Sequence, residues 1–210
     1  MKTKYHIEIT RKALARYFSE DALLEIIHGN TRQDRIRNQF GHDYIHFDGS
    51  AFKAGFEYLE KQKLSVINSI RNKDYHSARR ALGRVTHSWQ DYYSHSNYVR
   101  LWVSNHVNLP PELIVVDDLT IMNHPDLKSG KNYGMIEFLA LIPGLSTWIK
   151  PRMPKDSHAV MNLDGPETGE LFNYAYQAAI KRTSQIFDYF QAEMERQGFS
   201  RAQRNAFLGK

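Results

Sequence analysis

The 210-residue sequence contains no cysteine. That excludes disulfides and thiolate metal sites, and leaves histidine and carboxylate side chains as the only strong metal ligands. Long apolar runs are lacking too. The stretch FLALIPGL at 138–145 is among the longest, far short of the roughly 18–20 residues a membrane-spanning helix needs. The first ten residues, MKTKYHIEIT, hold two lysines with no apolar core behind them, so no Sec-type signal peptide is expected. The expected location is cytoplasmic, or outside the cell by a route that reads no such signal. No alternating strand-like run, internal repeat or dense basic block stands out. The formal charge of +5 is spread along the chain and favours an anionic partner over a cationic one, nothing narrower.

What is present is ordinary for a globular chain, with 41% hydrophobic and 24% charged residues. The length suits one domain, 1–210, with a sizeable core. Apolar residues at Ile9, Ala13, Leu14, Phe18, Leu23 and Ile27 predict a helix over 7–27, stopped by Gly29-Asn30. Phe52, Phe56, Leu59, Leu64, Ile67 and Ile70 predict another over 51–72. Asp74 is placed to cap a helix that starts at Tyr75 and runs past Leu101. Residues 105–165 hold most of the prolines and read as a long irregular excursion, and 166–197, opening on Pro166, reads as helix. The expectation is all-α: a single-domain helical bundle of about five main helices with a long inserted loop, 106–156.

Ten histidines and twelve tyrosines are more than a chain of this size usually carries. The segment ALGRVTHSWQDYYSHSNYV, 81–99, sets His87, Asp91 and His95 four residues apart. On a helix each such step rises about 6 Å, so the three share one stripe. An imidazole and a carboxylate one turn apart can reach one ion. The whole stripe, about 12 Å long, is too extended for one ion and favours more than one, with Asp91 as a bridge. The competing reading is a polar interhelical stripe of ordinary hydrogen bonds. His6, Asp34, His42, Asp43, His46, Asp48, His158 and Asp164 supply further donors. Singly each reads as packing, loop or cap; together they gather near helix ends, where a bundle can build a buried cluster. Two other metal patterns fail on spacing. Glu25 and His28 form an E-x-x-H, but a di-iron bundle needs two such motifs. His42-Asp43 lacks the flanking residues of an HD phosphohydrolase.

The segments YHIEITRKAL, HFDGSAF, ALGRVTHSWQDYYSHSNYV and SHAVMNLDGP, in that order, resemble the zinc-dependent phospholipase C superfamily. The likeness is to its branch with the HET-C heterokaryon-incompatibility protein and, more distantly, to single-strand-specific zinc nucleases. It covers most of the chain outside 106–156 and implies an all-α domain with two to three zinc ions. By that resemblance Asp34, His46, His87 and Asp91 hold one zinc, Asp91 bridges to a second bound by His6, and His95, His158 and Asp164 hold the third. There are three departures. Met1 stands where those enzymes present a tryptophan amine, the step from Asp91 to His95 is shorter, and Asp164 follows His158 by six residues instead of four.

The resemblance implies a zinc-dependent phosphodiesterase, a phospholipase C-like hydrolase of phospholipid head groups acting through a metal-bridged hydroxide. Asp34 would orient or deprotonate the water. Tyr92, Tyr93 and Tyr98 would line the substrate mouth, and MIEFLALIPGLSTWIKPRMP, 135–154, would make peripheral membrane contact. The rival expectations are a nuclease taking nucleic acid on the same metal scaffold, and a non-catalytic, membrane-active HET-C-like protein with structural metal.

Overall fold

The apolar periodicities resolve into helices wrapped around one central helix. The computed structural model describes residues 1–35, 41–133, 144 and 146–210. Its longer helices are α1 (Thr3–Leu14), α2 (Glu20–Thr31), α3 (Phe52–Arg71), α4 (Tyr75–His95), α5 (Tyr98–Asn105), α6 (Leu171–Arg196) and α7 (Arg201–Leu208). Among the described residues there is no strand, and the fold is all-α, as expected. The described part of 106–156 is largely irregular, with one-turn helices such as Leu119–Met122.

Four boundaries differ from the sequence reading. The single helix expected over 7–27 is two, because the chain turns after Leu14 and Ser19 begins α2 by accepting the Ala22 N–H at 3.3 Å. Gly29 and Asn30 lie inside α2 instead of stopping it. The helix expected to run past Leu101 breaks after His95, where Ser96 is extended (ψ 166) and Asn97 N–H donates to Lys128 O at 2.8 Å. Pro166 opens its own short turn, Pro166–Thr168, and α6 starts at Leu171. Asp74 caps α4 as predicted, accepting from Ser77 N–H at 3.1 Å.

Helix α4 is the axis of the bundle, packed by α2, α3 and α6. Every residue from 85 to 99 is buried. Two glycines bring α2 and α4 together. A Cβ on Gly83 would lie 2.1 Å from Ile26 O, and one on Gly29 would lie 2.3 Å from Arg80 O. The backbones touch there because neither residue has a side chain, and this presses Asn30 against the polar stripe of α4.

The tyrosines of α4 and α5 do not line a mouth. Tyr92, Tyr93 and Tyr98 are fully buried, packed with Phe47 and Trp89. Tyr93 and Tyr98 donate to the carbonyls of Val116 and Val115, tying the excursion to the core. Most of the apolar part of 135–154 lies outside the described residues, although Trp148 is 70% exposed. Among the described residues, no helix is long and apolar enough to cross a membrane.

Candidate metal centre

Segments far apart in sequence converge on the last two turns of α4. Helix α1 carries His6 to Asp91, and the turn Arg32–Asp34 follows α2 to the same place. The one-turn helix Asp43–His46 ends at Phe47, whose φ of 58° reverses the chain. A bulky residue in this left-handed region is unusual; here it lets both His46 and Asp48 face the cluster. The following loop is pinned by Gly49 N–H to Gly130 O at 2.8 Å and Ser50 N–H to Ser129 Oγ at 2.7 Å. At the far end Leu163 N–H donates to Ser94 O at 2.8 Å, and Ser94 Oγ donates to Asp164 Oδ1 at 3.1 Å.

Asp91 is the hub. Its Oδ2 lies 2.8 Å from His46 Nδ1 and 2.9 Å from His87 Nε2, and its Oδ1 lies 3.2 Å from His6 Nε2. Asp34 stands at the edge, its Oδ1 3.7 Å from His87 Nε2 and its Oδ2 accepting from Thr3 Oγ1 at 2.8 Å. One donor atom from each of His6, Asp34, His87 and Asp91 falls within 4.8 Å of the others, and Asp48, His95 and His158 form a second such group. In that group Asp48 Oδ1 is 3.0 Å from His95 Nδ1 and 3.6 Å from His158 Nε2. Asp164 Oδ1 joins from the side, 3.3 Å from His95 Nε2 and 3.0 Å from the Met1 amine. That amine also sits 2.8 Å from Asp91 Oδ1.

A buried amide network behind the cluster sets the imidazole tautomers. Gln90 Nε2 donates to the hydroxyls of Thr10 and Thr183, which orients the amide and turns Oε1 towards His6 Nδ1 at 2.6 Å. Asn30 Nδ2 donates to Gln90 Oε1 and to Thr86 Oγ1, so its Oδ1 faces His87 Nδ1 at 3.4 Å. Both rings therefore hold their proton on Nδ1 and present an Nε2 lone pair to Asp91. His6 Nε2 is buried without a hydrogen bond, as are His46 Nε2 and Asp48 Oδ1. Lone pairs converging on a carboxylate repel one another, and a cation between them removes the repulsion.

The electrostatics follow the same crowding. Burial outweighs Asp91 at His87 and pushes its pKa down to about 4, leaving a neutral imidazole. At His95 burial and the Met1 amine work against charge, but Asp91, Asp48 and Asp164 prevail and raise its pKa to about 10. Burial alone would raise Asp91; the Met1 amine and the surrounding imidazoles hold it well below the usual carboxylate range. Burial likewise opposes charge on the Met1 amine, yet Asp164 and Asp91 lift it to about 11.

All eight residues singled out as ligands, His6, Asp34, His46, His87, Asp91, His95, His158 and Asp164, meet in this cluster. Asp48, not Asp164, is the carboxylate between His95 and His158. Its signal was its place two residues after His46. Asn30 and Gln90 carried no metal signature and were not anticipated. Glu25 pairs with Arg79 and His76, so the carboxylate of the E-x-x-H motif joins two helices, and His28 is exposed.

A family model described as the VWA7 N-terminal domain matches residues 3–123. Von Willebrand factor A domain-containing protein 7 from Rattus norvegicus is 35% identical over 80 residues, and its counterparts from Homo sapiens and Mus musculus are each 34% identical over 80 residues. The matched stretch is 38% of this chain and 9% of each relative, so the chain spans a small part of those proteins. No solved structure matches the chain. These findings overturn the expected place in the zinc-dependent phospholipase C superfamily and its HET-C-like branch. The phospholipase C-like phosphodiesterase, the zinc nuclease and the HET-C-like membrane-active protein fall with it. The resemblance rested on His and Asp spacing along helices, a pattern that reports a cluster of donors and not a reaction.

Proposed function

This chain belongs to the VWA7 N-terminal domain family, and from that footing we propose that it is a metal-binding domain whose buried His–Asp cluster holds divalent ions of the zinc type. The observation that carries this reading is the pair of lone pairs aimed at one carboxylate. His6 and His87 have Nδ1 committed to the amides of Gln90 and Asn30, and both turn Nε2 to Asp91. Imidazole and carboxylate donors with no thiol suit zinc and its neighbours in the first transition row. His6, Asp34, His46, His87 and Asp91 would hold one part of the centre, and Asp48, His95 and His158 the other, with Asp164 beside them. Asp91, whose two oxygens face different histidines, would be shared between the two parts.

A bound ion of this kind supplies Lewis acidity and lowers the pKa of a coordinated water. The protein's own part is to fix the donors, exclude bulk water and keep one edge open. His6 and His87 are 0% exposed and Asp91 is 1%, whereas the side chains of Asp34 and Asp164 are 21% and 27% exposed. Structural zinc sites are closed and catalytic ones keep an open position. This open edge favours a second reading, metal-dependent hydrolytic catalysis with Asp34 orienting water.

The decisive experiment is metal content by mass spectrometry on untagged protein beside Asp91→Asn. Two or more divalent ions per chain, falling sharply in the variant, supports the reading. Absence of ions from protein offered zinc, with unchanged melting in Asp91→Asn, refutes it. The second reading is checked with chromogenic ester and amide substrates, for which Asp34→Asn retains metal and loses turnover.

A further inference from the structure

The crossing of α2 and α4 also gathers cations. His28 near the end of α2 and Arg32 in the turn that follows stand four residues apart, as do Arg80 and Arg84 on α4. Each pair therefore shares a face. Close backbone contact sets the two pairs side by side, since the Arg80 carbonyl lies directly against Gly29. Arg35 follows at the end of the turn. Arg84 Nε donates to Gln62 Oε1 of α3 at 2.5 Å, which fixes the guanidinium. Tyr58 of α3, whose hydroxyl accepts from Gln33 Nε2 at 2.7 Å, stands beside it.

Among the described residues no carboxylate forms an ion pair with Arg35, Arg80 or Arg84. The nearest acids along these segments are committed elsewhere, Glu25 to Arg79 and His76, and Asp34 to Thr3 and His87. The like charges act on one another. Burial holds the Arg84 pKa below its ordinary 12.5; Tyr58 opposes this and Arg80 adds to it. At His28, what burial there is and then Arg80, Arg32, Arg35 and His76 all work against protonation. Water satisfies the hydrogen bonds of such groups, but a field of one sign is cancelled by counter-charge. Guanidinium forks engage an oxyanion two bonds at a time. Arg32, Arg80 and Arg84 are half-buried, which suits a compact group entering between helices better than a flat lipid surface. We propose that the face formed by Arg35, Arg80 and Arg84, with His28 and Arg32 beside them, binds a tetrahedral oxyanion, a phosphate or sulfate group. Binding there goes beyond the metal-binding reading and calls for no ion in the His–Asp cluster.

The test is isothermal titration of the full chain with sulfate, inorganic phosphate and glycerol 3-phosphate at constant ionic strength. Saturable binding of sulfate or phosphate is expected, and the tighter of the two names the group. Arg80→Gln and Arg84→Gln should each weaken it roughly tenfold or more with unchanged circular dichroism. Arg84→Lys, which keeps the charge and loses the fork, should recover part of that loss. Arg35→Glu, at an exposed position, should weaken binding without any threat to the fold. Glycerol 3-phosphate binding as tightly as phosphate identifies a group carried on a larger molecule; weaker binding of the ester identifies the free anion. Chelator-stripped and zinc-loaded protein should bind alike. Loss of the site on chelation, no saturation by either anion, or indifference to Arg84→Gln and Arg35→Glu overturns the proposal.

Discussion

Gln90 shows how much of the centre is decided by a residue that carries no charge. Its oxygen faces His6 Nδ1 and its nitrogen is anchored on Thr10 and Thr183, so it chooses which ring nitrogen meets Asp91. Replacing such an outer hydrogen-bonding partner typically costs about 10–100-fold in metal affinity. Gln90→Leu should weaken binding by that order in a competition titration against a chelator of known strength, while the donor residues stay in place. An unchanged affinity would show that ring orientation is set by packing alone. The histidines and aspartates were legible in the sequence because their types are chemically distinctive. Gln90, Asn30 and the two threonines were not, since a buried amide looks in sequence like any surface amide. The three tyrosines misled for the converse reason: beside a polar stripe they suggest a substrate mouth, but all three are buried in the aromatic core, and the hydroxyls of Tyr93 and Tyr98 are taken by loop carbonyls.

At the scale of elements, the crossing of α2 and α4 positions everything that follows. Gly83→Ala would place a methyl 2.1 Å from Ile26 O, which the two helices can relieve only by moving apart. Overpacking of this kind costs typically about 1–3 kcal/mol, occasionally more. Urea denaturation of Gly83→Ala and Gly29→Ala should each show a loss of at least that order. The sequence showed Gly29 plainly but suggested a helix stop, because glycine as a terminator and glycine as a contact point look alike in one dimension.

Beside that crossing the same helices are joined by Glu25 of α2, which meets Arg79 and His76 of α4, while Arg79 also donates to the Ala206 and Phe207 carbonyls at the end of α7. Burial opposes charge on Glu25, but Arg79 and His76 overcome it and hold its pKa below the ordinary 4.5. A lowered carboxylate pKa stabilises the fold above the unfolded value and loses that contribution as pH falls through the folded one. Glu25→Gln should therefore cost about 1 kcal/mol at pH 7, with the gap to the parent protein closing towards pH 3 in thermal melts.

Over the whole molecule, helix content, the long excursion and the gathering of donors were readable from periodicity and residue type. The lineage was not, because a donor pattern repeated on helices does not carry ancestry. Nor were the break after His95 and the turn at Phe47, which depend on partners distant in sequence. The assembled cluster sets five imidazoles and four carboxylates against one another, so ions should add directly to global stability. At a free ion concentration about 100 times Kd the gain is about 2.7 kcal/mol. Chelation of the metal-loaded protein should lower the melting temperature, and readdition of zinc should restore it.

The spans that meet at Asp91 have a kinetic meaning as well. His46 and the Met1 amine lie 45 and 90 positions from it along the chain, and Asp164 lies 70 from Ser94. Contacts of such high contact order need long loops closed before they form. The donor cluster would then be among the last regions to become native, and absent from the folding transition state. Interactions made after that barrier leave refolding rates alone and slow unfolding. In stopped-flow chevrons, zinc should leave the folding limb where it is and lower the unfolding limb by the full stability gained, so that the centre acts as a clasp fastened after the bundle has closed.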